Sequence, residues 1–410
     1  MPTPKPIGLR QWIWRAFVRS ALIPLVLVEA GLIAIYLLTN SAIRDAQIEH
    51  LRETALNDLQ ASASLESRLI SEQLEQVASL TELYRNLTAQ ALLGDAPVAP
   101  PELALSGDGV RYSPENNGGA AVFYSNATPA ERHDMEKIAR LRQLEPLMKE
   151  IEARNPLVAS LYFNSWDSFN HIYPWFFTLD QYPADMDIPK YNFYYLADAE
   201  HNPGRGVVWT DVYLDPAGHG WMMSAIAPVY RDDFLEGVVG IDITVSGILE
   251  QIGQLQVPWG GYAMLVSDDL TIMALPEPGE TDFGLAELTE HSYLDAIRSE
   301  MFKPEDFRLD RRRETAELAA AISGSDRGVQ QVMLGGRPQL VAWTTVAQTG
   351  WHLLTVVDEA AVFRQTNALA SRYRQIGYLL IAGLVLFYIG FFALMWLRAR
   401  QLSQALLTPI

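Results

Sequence analysis

Between Tyr191 and Ile243 the chain gathers aromatic rings and carboxylates into a stretch that reads as strand and turn: YNFYYLADAEHNPGRGVVWTDVYLDPAGHGWMMSAIAPVYRDDFLEGVVGIDI. Asp215 and Asp242, with Tyr191, Tyr194, Tyr195, Trp209 and Tyr213, can form an acidic pocket with aromatic walls. Such a pocket suits an ammonium or quaternary amine, which gains Coulomb attraction from the acids and cation–π attraction from the rings. Asp242 lies near the end of an apolar strand, where a carboxylate is costly to bury unless a cationic or hydrogen-bonding group meets it. The same residues have a plainer reading, because aromatic residues in strands are usually core and Asp215-Pro216 is an ordinary turn opening.

Other chemistry finds less support. His171, His201 and His219, with Asp185, Asp187 and Asp211, form a second constellation, but no pair has the close helical spacing of a zinc motif. The expectation is no metal and no cofactor. Trp166, Trp175 and Trp221 read as core or interface. The chain has no G-x-S-x-G elbow, P-loop or HExxH motif, and the pairs Gly118-Gly119 and Gly335-Gly336 read as turns. No enzyme is expected within residues 1–410. A net charge of −18 argues against a nucleic-acid partner, which needs a basic face, and the absence of cysteine excludes a disulfide framework.

The elements that must position the acidic stretch are bracketed by two apolar runs. Lys5, Arg10, Arg15 and Arg19 precede Ala21 to Leu38, a run long enough to cross a bilayer, with Glu29 inside it as a neutralised or interhelical hydrogen-bonding residue. Ile376 to Leu397 is a second, uncharged run ending at Trp396. The positive-inside rule places both chain ends in the cytoplasm. Taking the six basic residues of those ends and Glu29 out of the total of −18 leaves −23 for what lies between. A strongly acidic body is therefore expected outside the cytoplasmic membrane.

Ile43 to Leu93 contains no proline or glycine, and its apolar residues recur at helical spacing. A helix of about 50 residues, about 75 Å long, exceeds what a small domain needs and offers a face to a second copy. A further helix is predicted from Thr128 as N-cap to about Ala153, interrupted or bent near Pro146. Ala120 to Tyr124, Leu157 to Phe163, Asn170 to Tyr173, Gly220 to Tyr230 and Phe234 to Ile243 read as strands, the last two a hairpin turning at Arg231-Asp232-Asp233. After a short helix, Val245 to Leu255, the strand grammar resumes with Gly261 to Ser267, Thr271 to Leu275, Val329 to Leu334, Gln339 to Val346 and Trp351 to Val357. Leu285 to Met301 reads as helical, and a final helix from Glu359 enters the second apolar run without a break.

These features resemble the double Cache sensor family, the extracytoplasmic input region of bacterial chemoreceptors, sensor histidine kinases and diguanylate cyclases. The resemblance is carried by the first apolar run, the long helix, WTDVYLD (Trp209 to Asp215), SAIAPVYRDDFLEGVVGIDI (Ser224 to Ile243) and TGWHLLTVVDEAAVF (Thr349 to Phe363). It implies an α+β fold: a long N-terminal helix with two tandem PAS-like antiparallel-sheet modules, flanked by two transmembrane helices. The implied divisions are a cytoplasmic start at 1–20, a span at 21–40, a dimerisation helix at 41–93, a ligand-binding distal module at 94–256, a proximal module at 257–371, a span at 376–397 and the start of a HAMP-like linker at 398–410.

In the amine- and amino-acid-binding branch of that family the ligand lies in the distal module. Tyr213, Asp215 and Asp242 stand where the ammonium-binding groups would be, and Tyr195 matches the first tyrosine of the pattern. Tyr194 replaces a tryptophan and Asn192 occupies the position of an arginine, which removes the bidentate clamp for a ligand carboxylate. The resemblance thus implies a homodimeric receptor input region for a small polar ligand, an amine fitting best, in contact with the lipid bilayer. Its output would be a kinase, chemoreceptor or cyclase module beyond Ile410. A membrane-anchored binding or adhesion protein and an extracytoplasmic hydrolase are the competing classes.

Overall fold

The computed structural model describes residues 9–94, 102–255, 257–288 and 301–405. The chain divides into two units, Met1–Asn57 with Val362–Ile410, and Asp58–Ala361.

The first unit is helical. Helix α1 (Leu9–Phe17) passes through a π-helical turn at Val18–Leu22 into α2 (Ile23–Leu93). The sequence reading began the long helix at Ile43. It is instead continuous from Ile23: Pro24 follows directly on the π-helical turn at Val18–Leu22, where the hydrogen-bond ladder is already shifted, and Gly31 alone does not break a helix. A second long helix covers Arg364–Ala405. It enters the second apolar run without a break, as expected, but begins at Arg364 rather than Glu359, a turn at Phe363 setting it apart from the short helix Glu359–Val362. The stretches Trp14–Leu93 and Ala370–Arg398 are long and apolar enough to cross a membrane, each with a window of mean hydropathy 2.4 and no buried residue in it. Leu27 and Leu379 are 67% and 72% exposed, an arrangement that water penalises and hydrocarbon does not.

The second unit holds two antiparallel sheets. The first contains β1 (Ala104–Leu105), β2 (Arg111–Tyr112), β3 (Ala121–Tyr124), β4 (Val158–Ser165), β5 (Phe169–Tyr173), β6 (Val208–Trp209), β7 (Tyr213–Leu214), β8 (Trp221–Arg231) and β9 (Phe234–Thr244). Its order is β1-β2-β3-β5-β4-β9-β8-β6, with β7 also paired to β8. The β8–β9 turn is closed by Asp232, whose φ of 56° lies in the left-handed region that Asp tolerates better than most residues. Side chains alternate between two buried faces, with Val122, Tyr124 and Phe163 on one and Phe123 and Tyr162 on the other. That double burial explains why β8 and β9 read as continuous apolar runs. The first face packs on α2 through Ile70, Leu74, Val77 and Tyr84. The second is covered by the segment 174–197, which carries Tyr182, Met186, Ile188 and Phe193.

Two local expectations are corrected here. Helix α3 (Met135–Leu141) is capped by Asp134, whose side chain accepts from the Lys137 N–H, while the Thr128 hydroxyl bonds the Asp167 carbonyl instead. The interruption expected near Pro146 is present: a 3-10 turn at Arg142–Leu144 separates α3 from α4 (Glu145–Arg154), and Pro146 stands in the first turn of α4. Within the stretch read as strand and turn, residues Asn192–Tyr195 form a short helix, α5. Helix α6 (Val245–Gly253) follows β9, with Thr244 as its cap.

The second sheet comprises β10 (Tyr262–Val266), β11 (Ile272–Ala274), β12 (Arg327–Leu334), β13 (Arg337–Thr345) and β14 (His352–Asp358), in the order β11-β10-β14-β13-β12. Gln60 of α2 donates to the Trp343 carbonyl at 3.2 Å and so ties the helix to this sheet. Most of the helix expected from Leu285 to Met301 lies outside the described residues. Residues 285–288 are not helical, and a helix stands earlier as α7 (Glu277–Phe283), ended by Gly284 at φ 61°.

Candidate functional site

Under the second face of the first sheet lies a cavity of about 20 Å³. Its walls are Tyr162, Asn164, Asn170 and Ile172 from β4 and β5, Tyr182, Met186, Ile188 and Phe193 from the covering segment and α5, and Tyr213, Asp215, Pro216 and Asp242. No lysine, arginine or histidine is among them. The volume accommodates one water-sized group, so anything larger requires the covering side chains to move.

Asp242 is held by strand register. On β9 it lies opposite Ser160 of β4 on one side and Ser224 of β8 on the other. Both serine hydroxyls donate to its carboxylate, Ser224 at 2.6 Å, and the Tyr213 hydroxyl bonds Ser224 at 2.7 Å. Burial, reinforced by the charge of Asp215, pushes the Asp242 pKa up to about 7 against the opposing pull of the two serines and His219. The phenols of Tyr162, Tyr182 and Tyr213 are likewise held protonated, first by burial and then by the neighbouring acids.

Asp215 caps its own loop, accepting from the Ala217 N–H at 2.9 Å and the His219 N–H at 3.2 Å. His219 Nδ1 lies 2.8 Å from the same carboxylate, whose hydrogen bond raises the imidazole pKa. Asn170 donates to Asn164 at 2.8 Å. Gly240 of β9 makes room for the Tyr162 ring: a methyl there would stand well inside van der Waals contact with the phenol. Gly240→Ala is expected to cost about 1–3 kcal/mol of stability by displacing Tyr162. Urea unfolding of the full chain checks this, and an unchanged midpoint would contradict the close approach.

Of the residues singled out in the sequence, Tyr213, Asp215 and Asp242 line this cavity. Tyr191 stands one ring behind it, stacked on Phe193 at 5.1 Å. Asn192 is buried in α5, its side-chain oxygen accepting from the Phe193 N–H. Tyr194 is near Asp167 and Asp198, Tyr195 packs on His201 at 5.2 Å, and Trp209 packs edge-on against Trp351 at 5.4 Å; none of the three is in the cavity wall. The histidines of the second constellation have separate carboxylate partners: Glu145 for His171, Asp198 for His201 and Asp215 for His219. Sequence reasoning missed Ser160, Tyr162, Asn164, Asn170 and Tyr182, which reach the site through strand pairing and a covering segment that no local pattern marks.

Residues 146–250 match the family described as "Methyl-accepting chemotaxis protein-like, first PDC sensor domain". The matched segment includes Tyr162, Asn164, Tyr182, Tyr213, Asp215 and Asp242. The chain is 24% identical over 184 residues to the methyl-accepting chemotaxis protein PscA of Pseudomonas syringae pv. tomato, a match covering 44% of this chain and 24% of that protein. It thus matches about a quarter of the length of that relative. Among solved structures, the ligand-binding domain of the Pseudomonas aeruginosa PAO1 amino acid chemoreceptor PctB in complex with L-Arg is 17% identical, covers 76% of this chain and 98% of its own, and has a TM-score of 0.48. The corresponding domain of Pseudomonas fluorescens CtaA in complex with L-isoleucine is 16% identical, covers 78% and 98%, and has a TM-score of 0.47. That of Pseudomonas aeruginosa PctC in complex with GABA is 20% identical, covers 74% and 99%, and has a TM-score of 0.43.

The segment that builds the cavity is thus similar to the first PDC sensor domain of proteins like the methyl-accepting chemotaxis proteins. The resemblance to the double Cache sensors drawn from the sequence is supported over residues 146–250, where the chain matches a chemotaxis-type sensor-domain family.

Proposed function

We propose that this chain is the input region of a transmembrane receptor that binds a small amine. The observation that carries the reading is the buried pair Asp215 and Asp242 in a cavity walled by tyrosines and a phenylalanine, with no basic side chain in the wall. A ligand ammonium there meets two carboxylates and ring faces, whereas a ligand carboxylate meets no cation. Asn192 in place of an arginine points the same way. The sensing part is the distal module, 94–256, and the second sheet belongs to a proximal module, 257–371. The spans are 21–40 and 376–397, with the acidic body outside the bacterial cytoplasmic membrane. Leu65, Leu69 and Leu83, which share one exposed face of α2, support pairing of two copies along that helix. A ligand that favours one of two pairings by about 1–3 kcal/mol suffices to relay its presence toward a kinase, chemoreceptor or cyclase module past Ile410.

A panel of ammonium, methylammonium, ethanolamine, glycine and acetate, tested by thermal unfolding of the full chain in detergent, decides the ligand class. A cation at a hundred times its Kd adds about 2.7 kcal/mol to stability, a rise of several degrees in Tm. The expected pattern is a shift with the amines and none with acetate. A shift with acetate or glycine, and none with the amines, sinks the proposal.

A further inference from the structure

Asp215 separates the cavity from His219. Asp215 is part of the cavity wall, and its Oδ2 takes both the ring Nδ1 of His219, at 2.8 Å, and that residue's own N–H, at 3.2 Å. The His219 side chain is 32% exposed and that of Asp215 9%. The His219 ring also meets the edge of Phe176, which in turn contacts Tyr182 of the cavity wall, at centroid distances of 6.3 and 5.4 Å. The charged groups facing this imidazole are Asp215 from its own loop and Asp242 from β9, both acids. No basic residue stands in the wall, and among the described residues His219 is a basic side chain in direct contact with one of the cavity acids.

We propose that His219 is the resident counter-charge of the cavity, and that a cationic ligand binds by taking over Asp215 from it. The inference rests on the amine reading of the site and gives it a pH-dependent gate. With an ammonium beside Asp215 and Asp242, a protonated His219 would be the second cation on one carboxylate. Binding therefore drives the imidazole to release its proton to solvent, or to swing outward where a third of it already lies. The hydrogen bond from Asp215 raises the His219 pKa, which carries this competition toward neutral pH. Ligand binding is thus weakest in acid, where His219 is charged, and strengthens as the pH rises through its titration.

The test titrates methylammonium into the full-length chain in detergent by calorimetry, comparing wild type with His219→Gln at pH 6 and pH 8. Glutamine keeps a donor for Asp215 without the charge. The variant is expected to bind at least fivefold more tightly than wild type at pH 6 and equally at pH 8. Losing the His219 charge also lets the Asp242 pKa rise, which disfavours cation binding by the variant at pH 6, so tighter binding there is gained against that change. His219→Lys, permanently charged, should weaken binding at both pH values. Repeating the pH 6 titration in buffers of different ionisation enthalpy should show fewer protons released by His219→Gln than by wild type. A ratio of one at both pH values, or a Gln variant weaker at both, as a mere loop organiser would give, overturns the role of His219 and leaves the amine reading standing. Binding to neither protein at either pH removes the amine reading and this proposal with it.

Discussion

Asp242→Asn is expected to weaken methylammonium binding about a hundredfold and, at pH 8, to raise the melting temperature of the unliganded chain. Both effects come from one buried charge. The asparagine side chain has nearly the same shape and can accept from one serine and donate to the other, so Ser160 and Ser224 keep partners and the β4–β9–β8 register has no reason to change. What is lost is the negative charge that a ligand cation needs, and removing one partner of a buried charged pair costs about 2–5 kcal/mol. The stability effect follows from linkage. Burial and Asp215 raise the Asp242 pKa to about 7, well above the ordinary carboxylate value. Between those values the folded chain holds a proton that the unfolded chain has released, so the stabilisation is complete below the ordinary value and is lost as pH rises through about 7. Wild type should therefore lose stability between pH 5 and pH 8 through this group, and Asp242→Asn should not. His219, whose pKa is also raised, adds a loss of the same sign in both proteins. Melting curves at pH 5 and pH 8, with and without methylammonium, read both effects. Equal ligand shifts in wild type and variant would remove Asp242 from the binding site.

The hairpin that carries Asp242 shows how much of this was readable in advance. Two apolar runs around Arg231-Asp232-Asp233 make β8 and β9 legible, and they stand where expected within a residue or two. Counting outward from the turn, where Arg231 pairs with Phe234, brings Ser224 opposite Ile241. In the structure Ser224 pairs with Asp242, because a bulge between Val229 and Tyr230 gives β9 one extra residue, Glu236. A slip of one residue exchanges the two faces of a strand, so the serines that hold the carboxylate were beyond local reasoning although the carboxylate was not. Trp209 illustrates the same parity. It pairs with Ala225, on the face that packs on α2, whereas the neighbouring Ser224 faces the cavity, and the ring accordingly meets Trp351. Tyr194 and Tyr195 diverge because Asn192–Tyr195 is helical, and successive residues of a helix point about 100° apart. Apolar runs and turn residues therefore located the sheet and its acids, while the rings and amides around them arrive from separate strands whose pairing only the folded chain determines.

Lys137→Met is expected to destabilise the protein by about 3–5 kcal/mol without touching the cavity, and it separates folding effects from ligand effects. Lys137, on α3, reaches the β4–β5 turn and places its ammonium 2.7 Å from Asp167 Oδ1; both side chains are less than a tenth exposed. The Tyr124 and Ser165 hydroxyls donate to the same carboxylate, and the ammonium also stands over the rings of Tyr124 and Phe169 at 5.4 and 5.8 Å. Burial by itself would raise the Asp167 pKa, but the Lys137 charge and these hydrogen bonds outweigh it and hold the carboxylate below its ordinary value. Its contribution is therefore present above the ordinary carboxylate value and lost as pH falls through the lower folded one. Methionine keeps most of the aliphatic stem and removes the charge, which leaves Asp167 buried without its cation, the costly half of a broken pair. The variant should consequently recover stability in acid, where Asp167 takes up a proton, the reverse of the wild-type trend for this group. Adding Asp167→Asn should restore most of the loss at neutral pH, since two neutral groups carry no uncompensated charge. Urea unfolding of the wild type, both single variants and the double variant gives the coupling directly. Additive losses would mean that the ion pair contributes nothing beyond the packing of its stem, and that α3 is held on the sheet by Ile138 and Leu141 alone.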